Sequence, residues 1–401
     1  MSVLKDRRVI LGVTGGIAAY KAATVASLLV QADAHVDVVM TEAARRFVQP
    51  LTFSAITHAP VQDDLFAAWT VETGGHVSLA AKADVLLVAP ATAASIARLA
   101  LGLSDDLLGL IALSTAAPLV VAPTMEDHMY HHPATQEHLA TLAARGARIV
   151  GPERGRLASG ATGDGRLAEP DTIVGALRQV LGRDGPLVGK RIVVTAGGTR
   201  ESLDPVRYLG NRSSGQMGYT LAQAAIDLGA DVTLITAPTA LTPPVGTDVE
   251  RVESAAEMQA AVRAAVASTD ALVMAAAVAD FRPEIVYERK IKKESSGSGI
   301  ELLLARTDDI LASIDAPGLV TVGFAAETDD LLSNANLKLT AKRLSMIVAN
   351  EARATIGAAD SEATLLFPDR APLPLPRMPK TELADVIMRQ VASLLADERS
   401  S

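Results

Sequence analysis

Hydrophobic positions along this chain fall into two successive alternations of short apolar runs and longer amphipathic stretches. In the first half, apolar runs lie at 9–13, 35–40, 85–89, 119–122 and 148–150, with helical periodicity between them at 18–31, 93–101 and 134–145. Such alternation predicts parallel strands with helices on both faces of a sheet. Ligands of that architecture collect beyond the carboxyl ends of the strands. Residues 151–170 follow neither period and are rich in glycine, which predicts a lid-like or disordered loop. A helical stretch at 172–181 then runs into Gly182, Arg183, Asp184, Gly185 and Pro186, so a domain boundary is expected at 182–189. The second half repeats the alternation. Strands are predicted at 192–195, 232–235, 249–252, 271–275, 321–324 and 346–349, and helices at 217–228, 255–266, 308–314, 331–343 and 381–396. The one strongly polar loop is 288–299.

Composition narrows the class. A length of 401 residues suits two or three domains, and 49% apolar with 21% charged residues is a globular balance. The net charge of -9 argues against a nucleic-acid partner, whose phosphates need neutralising. No apolar run reaches the roughly 18 residues that span a bilayer. The run at 264–278 is broken by Ser268, Thr269 and Asp270. The first residues enter a strand without a secretory apolar core, so a cytoplasmic enzyme with no membrane partner is expected. Cysteine is absent, which excludes disulfides, thiolate metal sites and cysteine nucleophiles. All seven histidines precede residue 139, so the second half must work with carboxylates, lysines, amides and backbone dipoles.

Several strand ends carry candidate chemistry. The stretch 191–218 reads as a strand, a break at Gly197 and Gly198, an Asp-Pro turn between two arginines, and a second loop from Gly210 through Asn211 to Gly215. A helix follows. Strand, glycine turn and helix form a cradle for phosphate, because free amides and the helix dipole both face an anion. In the first half, Gly15 and Gly16 sit in a similar turn that lacks the GxGxxG spacing. Alone it fits a phosphate site or a plain βα connection. Thr41 and Thr92 end two other strands, and the three together favour a mononucleotide. His76 precedes an apolar helix and suits either a helix start or a site group. Asp105 and Asp106 suit a helix cap. Asp280 follows the apolar stretch through Met274, Ala275 and Ala276, where it could meet a ribose, a magnesium ion or a helix end. The run Lys290, Ile291, Lys292, Lys293 reads as a solvated face or as a clamp on phosphates. Phe324 ends another strand, and Lys338 and Lys342 share a helix face.

With these motifs in order, the chain resembles the bacterial bifunctional phosphopantothenoylcysteine decarboxylase/phosphopantothenate–cysteine ligases of coenzyme A biosynthesis. The resemblance spans nearly the whole length. It rests most on 210–215, 275–281, 290–293 and 323–327. It implies two doubly wound, Rossmann-like α/β domains: a flavodoxin-like flavoprotein domain at 1–185 and a CTP-dependent ligase domain at 186–401. The ligase half would use CTP and Mg²⁺ to activate 4'-phosphopantothenate as an acyl-cytidylate, from which the amine of cysteine displaces CMP. By motif, Asn211 would contact the acyl carbonyl, Asp280 the ribose or metal, and Lys290 the phosphates. Met274, Ala275, Ala276, Asp308, Asp309, Ile310, Leu311, Phe324, Lys338 and Lys342 would complete the nucleotide pocket. The first half would be an FMN-dependent decarboxylase of 4'-phosphopantothenoylcysteine, with Gly15, Gly16, Thr41, Thr92 and Asp106 at the FMN and His76 catalytic. The family forms trimer-based homo-oligomers, often dodecamers, with ligase-domain dimers.

Two positions depart from the family pattern. Where the family has Pro-x-Met-Asn, with the Asn holding the departing carboxylate, this chain has Pro123, Thr124, Met125 and Glu126. Where the family lid has Leu-Ala-Cys-Gly, with the Cys as closing proton donor, it has Leu157, Ala158, Ser159 and Gly160. An ionised Glu126 about 4 Å from a substrate carboxylate costs roughly 4 kcal/mol at an effective dielectric of about 20. Ser159 offers no acidic thiol. His128 could compensate by pairing with Glu126 or by binding the carboxylate. The first half could therefore work with altered residues, release the oxidised enethiol, or serve as a flavin-binding core. A tandem-Rossmann NAD(P) oxidoreductase would need a GxGxxG loop that neither glycine turn supplies. Against a non-catalytic flavin-binding regulator stands the intact set Asn211, Asp280 and Lys290.

Overall fold

The computed structural model describes residues 2–65, 75–292, 301–327, 330–351, 358 and 360–397. The chain divides into two compact units, Val3–Leu181 and Gly182–Ser401, the first two residues grouping with the second.

The first unit is built on β1 (Arg8–Val13), β2 (His35–Met40), β3 (Val85–Ala91), β4 (Leu119–Pro123) and β5 (Arg148–Ile149). They form a parallel sheet in the order β2-β1-β3-β4-β5, the flavodoxin-like arrangement. Between them run α1 (Ala19–Gln31), α2 (Pro50–Thr57), α3 (Gly75–Lys82), α4 (Ala93–Leu101), α5 (Leu107–Ser114), α6 (Asp127–Tyr130) and α7 (Pro133–Ala144). The unit closes with β6 (Glu153–Arg156), β7 (Thr162–Arg166) and α8 (Pro170–Gly182). The apolar run of β1 explains the two-sided cover. Val9, Leu11 and Val13 pack with Ala22, Val25 and Leu29 of α1 and with Ile173 and Leu177 of α8. Ile10 points the other way, into Ile96, Leu108 and Leu142 of α4, α5 and α7. Alternate side chains feed opposite cores, so a strand buried on both faces must be apolar at every position.

Of the two alternatives for 151–170, a lid or a disordered loop, the second fails: β6 and β7 pair antiparallel as a hairpin whose turn carries Leu157 to Ala161. The hairpin passes so close to 125–127 that a side chain at Gly165, with φ 144°, would strike the carbonyl of Met125. One at Gly163 would strike the Asp127 carboxylate. With glycine on its inward face, β7 shows no apolar alternation.

The second unit is larger. Its sheet has the order β12-β11-β8-β13-β16-β17-β18-β19. The parallel strands are β8 (Arg191–Ala196), β11 (Asp231–Thr236), β12 (Thr247–Arg251), β13 (Ala271–Met274), β16 (Val320–Glu327) and β17 (Met346–Glu351). The edge strands β18 (Asp360–Leu366) and β19 (Leu373–Pro379) are antiparallel and were not predicted. Two small ribbons lie apart from this sheet: β9 (Arg200–Ser202) with β10 (Tyr208–Gly210), and β14 (Phe281–Pro283) with β15 (Leu304–Arg306). The helices are α9 (Gln216–Asp227), α10 (Ala255–Val266), α11 (Leu331–Ala341) and α12 (Lys380–Asp397). Ile192, Val194 and Val273 face α9 and α12, whereas Val193 and Leu272 face α10. The helix predicted at 308–314 is only a 3₁₀ turn, Leu311–Ser313.

Asp270 ties two strand starts of this sheet together. Its carboxylate accepts from Lys190 Nζ at 3.0 Å and from the Arg191 backbone N–H at 2.8 Å. Burial pushes the acid upward, but the Arg191 amide and the Lys190 ammonium outweigh it and hold it below the ordinary carboxylate range. A lowered folded-state pKa contributes stability at pH above the usual carboxylate range, and that contribution disappears as pH falls through the lowered value. Asp270→Asn should therefore cost roughly 1–3 kcal/mol at pH 7. In urea titrations the gap to the parent should close as the medium is acidified.

Candidate functional site

In the first unit the carboxyl ends of β1, β3 and β4 and the hairpin enclose a cavity of about 610 Å³. Gly16, Ile17, Tyr20 and Lys21 of the first turn and α1 line one side, and Thr92 and Ala93 another. Met125, Glu126 and Met129 face Arg156, Leu157, Ala158 and Arg166 of the hairpin. Helix α1 begins at Ala18 with no side chain capping it, whereas α4 and α5 are capped by Thr92 and Asp106. The Ala19 and Lys21 amides donate to the Gly16 and Ala18 carbonyls, and the dipole of this strand-to-helix turn suits an anion. Gly15 cannot carry a side chain because Ala43 lies against it. Thr41 sits two residues before Ala43, its hydroxyl accepting from Ala44 N–H at 3.3 Å. Thr14 Oγ1 donates to the Pro90 carbonyl at 2.7 Å and accepts from Thr92 N–H at 3.1 Å, locking the ends of β1 and β3 together.

Of the sequence candidates, Gly16, Thr92 and Glu126 line this cavity, and Ser159 stands at its mouth on the hairpin turn just beyond Ala158. Thr41, His76 and Asp106 are not among its lining residues. Asp106 caps α5, its carboxylate accepting from Gly109 N–H at 2.7 Å. His76 lies half-buried in the first turn of α3, and Gly74 before it is outside the described residues. The two family departures touch each other. Ser159 Oγ donates to Glu126 Oε2 at 3.1 Å, and the Ser159 backbone N–H donates to Glu126 Oε1 at 3.3 Å. The partner of Glu126 is therefore Ser159, not His128, which stands exposed on α6.

The hairpin is anchored by groups that sequence reasoning missed. Asp127 accepts from Asp164 N–H at 2.7 Å, Thr124 Oγ1 donates to the Gly165 carbonyl at 3.0 Å, and His131 Nε2 lies 3.1 Å from Asp164. Glu169 draws Lys21 and Arg166 together. The alternating glycines at 163 and 165 were the available signal.

In the second unit the glycine turn after β8 runs beside the strand end of β13. Gly197 accepts from Ala277 N–H at 2.8 Å, and Thr199 Oγ1 accepts from Ala279 N–H at 2.9 Å. Thr195 Oγ1 accepts from Ala276 N–H at 3.1 Å. Asn211 Nδ2 donates to the Val278 carbonyl at 2.9 Å, which fixes its side chain over the same strand end. Helix α9 follows Gly215, with φ 77°, and the Ser214 hydroxyl accepts from Gln216 N–H at 3.4 Å. Met274, Ala276, Ile310 and Leu311 share one apolar cluster, and Lys342 pairs with Asp309 at 2.8 Å. Burial opposes ionisation of Asp309, but Lys342 and the Ala312 amide hold its carboxyl below the ordinary range. Ala275 and Phe324 pack partly against the central cluster beneath α9 and α12. Asp280 is exposed, and its carbonyl accepts from Thr307 N–H at 3.0 Å, which brings it beside Asp308. Asp308 also lines a separate cleft of about 460 Å³ with Arg200, Arg282 and Arg306. Lys338 lies on α11 with Lys342 one turn later.

Lys290 is exposed, and its neighbour Ile291 is clamped. Asp204 accepts from Ile291 N–H at 3.2 Å, while Arg207 donates to the Ile291 carbonyl at 2.7 Å. The Asp204 side chain also takes the Val206 and Arg207 amides at 2.8 and 2.9 Å. Burial works against its charge, yet the amides of Val206, Ile291 and Arg207 and the Arg207 guanidinium keep its pKa lowered. The Asp-Pro at 204–205 was legible as a turn, but not as a clamp on a segment 87 residues away. Lys293 and most of the polar loop 288–299 lie outside the described residues, as do the side chains of Ala326 and Glu327.

Residues 2–182 match the family described as Flavoprotein, and residues 187–395 match the DNA/pantothenate metabolism flavoprotein C-terminal domain. Fold and matches together define a two-part enzyme, a flavoprotein domain followed by a pantothenate-metabolism domain. The chain is 42% identical over 401 residues to the coenzyme A biosynthesis bifunctional protein CoaBC of Vibrio vulnificus, covering 98% of this chain and 100% of the relative. It is 43% identical over 400 residues to the Bacillus subtilis protein of that name, covering 98% of each. To the Mycobacterium tuberculosis one it is 44% identical over 411 residues, covering 97% of each. A solved C-terminal domain of such a protein is 38% identical, with TM-score 0.46, covering 53% of this chain and 99% of its own. The chain belongs to the family of coenzyme A biosynthesis bifunctional proteins. Among the described residues no helix is long and apolar enough to cross a membrane.

Removing the Asp127 carboxylate should release the hairpin from α6. Asp127→Ala is expected to make the turn around Ser159 at least several-fold more sensitive to limited proteolysis, with the melting temperature lowered by a few degrees at most.

Proposed function

We propose that residues 1–185 decarboxylate 4'-phosphopantothenoylcysteine with FMN, and that residues 186–401 form that substrate from 4'-phosphopantothenate, cysteine and CTP. The observation that carries the first assignment is the cavity beneath the hairpin, at the carboxyl ends of a flavodoxin-like sheet and beside an uncapped helix start. Its size and mixed lining suit a flavin and part of a substrate. Gly16 and Thr92, which line the cavity, would hold FMN, the phosphate lying against the first turn of α1; Gly15, Thr41 and Asp106 are assigned to FMN by the resemblance alone. When bound, FMN supplies the reversible two-electron oxidation that makes the carboxylate labile. The chain's own residues orient the substrate and exclude water. Met125, Met129 and Leu157 give the cavity apolar walls, and the hairpin covers it. His76 acts as a catalytic group when a second copy brings it to the cavity, in keeping with a trimer-based homo-oligomer or dodecamer.

The second assignment rests on the glycine turn, Asn211 and the clamped Lys290 strap. The substrate carboxylate attacks the α-phosphorus of CTP, pyrophosphate leaves, and the cysteine amine then displaces CMP. Negative charge gathers on the phosphates throughout, so cations and amides suffice for catalysis. Lys290 steadies the leaving phosphates, and Asn211 holds the acyl carbonyl. Asp280 with the neighbouring Asp308 suits Mg²⁺, which is commonly held by one or two carboxylates together with substrate phosphates. Met274, Ala275, Ala276, Asp309, Ile310, Leu311, Phe324, Lys338 and Lys342 form the cytidine pocket, and ligase domains pair as dimers.

Lys290→Gln should lower CTP-dependent pyrophosphate release by roughly 10²-fold or more, the loss of a group that acts on developing charge. Near-normal release would overturn the ligase assignment. Full-length protein given 4'-phosphopantothenoylcysteine should be yellow and should yield CO₂ and 4'-phosphopantetheine; its failure to do so would overturn the other.

A further inference from the structure

Where the hairpin meets α6, three side chains of metal-ligating type converge outside the cavity. Asp127 and His131 stand four residues apart, with His131 N–H donating to the Asp127 carbonyl at 3.0 Å, so both lie on one face of the short helix. Asp164 of β7 meets them from the hairpin. His131 Nε2 lies 3.1 Å from Asp164 Oδ2 and 3.7 Å from Asp127 Oδ1, and all three ligand atoms fall within 4.8 Å of one another. The backbone fixes the group. Asp164 N–H donates to Asp127 Oδ1 at 2.7 Å, and β7 runs so close that a side chain at Gly163 would strike the Asp127 carboxylate. Hydrogen bonding alone leaves the arrangement incomplete. An imidazole has one Nε2–H to give, yet two carboxylates converge on that nitrogen. A divalent cation would serve all three groups at once.

We propose that Asp127, His131 and Asp164 form a site for a divalent transition-metal ion, zinc above all, which clasps the hairpin to α6. The donor set selects the metal. One imidazole nitrogen with two carboxylate oxygens suits zinc, whereas magnesium and calcium take oxygen ligands. The spacing agrees. Zinc bonds of about 2.0–2.2 Å set tetrahedral ligand atoms roughly 3.3–3.5 Å apart, and the two separations from His131 fall on either side of that range. Asp127 Oδ1 keeps a lone pair beside the one that takes the Asp164 amide, and that amide is the outer partner that orients a metal-bound carboxylate. Water takes the remaining coordination position. Because the ligands come from α6 and β7, metal binding is coupled to closure of the hairpin over the cavity. Zinc held here keeps the hairpin down, and its removal loosens it. The coupling follows from where the hairpin lies and does not depend on which reaction the cavity carries out.

Full-length protein stripped with EDTA and titrated calorimetrically with Zn²⁺ tests the site. His131→Gln and Asp164→Asn keep hydrogen-bonding groups at these positions, and each should bind one equivalent of zinc fewer than the parent. Outer partners of metal ligands are worth roughly 10–100-fold in affinity, so loss of a ligand itself should cost at least about 100-fold. The clasp is read by trypsin at Arg156, which is exposed on β6. An ion that binds only the closed hairpin suppresses opening by the factor 1 + [Zn²⁺]/Kd, so at about ten times Kd cleavage there should slow roughly tenfold. Cleavage at the exposed Arg183 in the same digest should not change, which separates the clasp from an effect of zinc on the protease. A purely structural hydrogen-bond network would give no response to zinc, and neither variant should give one. Thermal melts without metal report that the variants are folded. A parent that binds no zinc would overturn the site. Equal binding by the parent and both variants would mean adventitious surface binding only and would overturn it as well. Stripped and zinc-loaded parent cut at Arg156 at the same rate would overturn the clasp.

Discussion

Backbone amides at the starts of α1 and α9 are the constraint around which both units are arranged. Each helix follows the first strand of its sheet; α1 has no capping side chain, and at α9 the Ser214 hydroxyl accepts from Gln216 N–H at 3.4 Å. Thr92, Asp106 and Ser254 perform that service for other helices. The dipole of such a helix start favours an anion placed against it. Close approach of other segments demands glycine at each turn: Ala43 lies against Gly15, Ala237 against Gly197 and Thr239 against Gly215. Around each such start, the ends of neighbouring parallel strands deliver the remaining groups, because parallel order places all their carboxyl ends on one side.

What distinguishes the two units is how the rest of the ligand space is closed. In the first, a hairpin with a glycine face lies on the backbone of 125–127, and its turn brings Ser159 to Glu126. In the second, the Asp204 carboxylate and the Arg207 guanidinium grip the two polar backbone groups of Ile291, which fixes the chain next to Lys290. Both closures use local charge on backbone amides in place of apolar packing. Such contacts position a segment without demanding a hydrophobic core beneath it, and they can be released at moderate cost.

The legibility of these features follows from the range of the interactions behind them. Strands β1, β3, β8 and β13 were visible because burial on both faces leaves no room for polar residues. Helices α9 and α12 were visible from their periodicity to within a residue or so. Strand β19 was hidden by Pro374, Pro376 and Pro379, which an edge strand tolerates and a central one does not. The hairpin was hidden because its inward positions are glycines chosen for closeness to another backbone, so no alternation of apolar residues marks it.

For this protein, the sequence by itself determined the two doubly wound units, the glycine turns and the identity of the acids and lysines at the strand ends. Those are properties of local pattern, read from periods of two and 3.6 and from residues with few conformational uses. Only the tertiary structure decided that Glu126 and Ser159, 33 residues apart, are one hydrogen-bonded pair. It also decided that Asp204 and Ile291, 87 residues apart, are another. Neither pair has a spacing that a helix or strand would impose. Each exists because the folding of separate elements brings a carboxylate to within hydrogen-bonding reach of a distant amide.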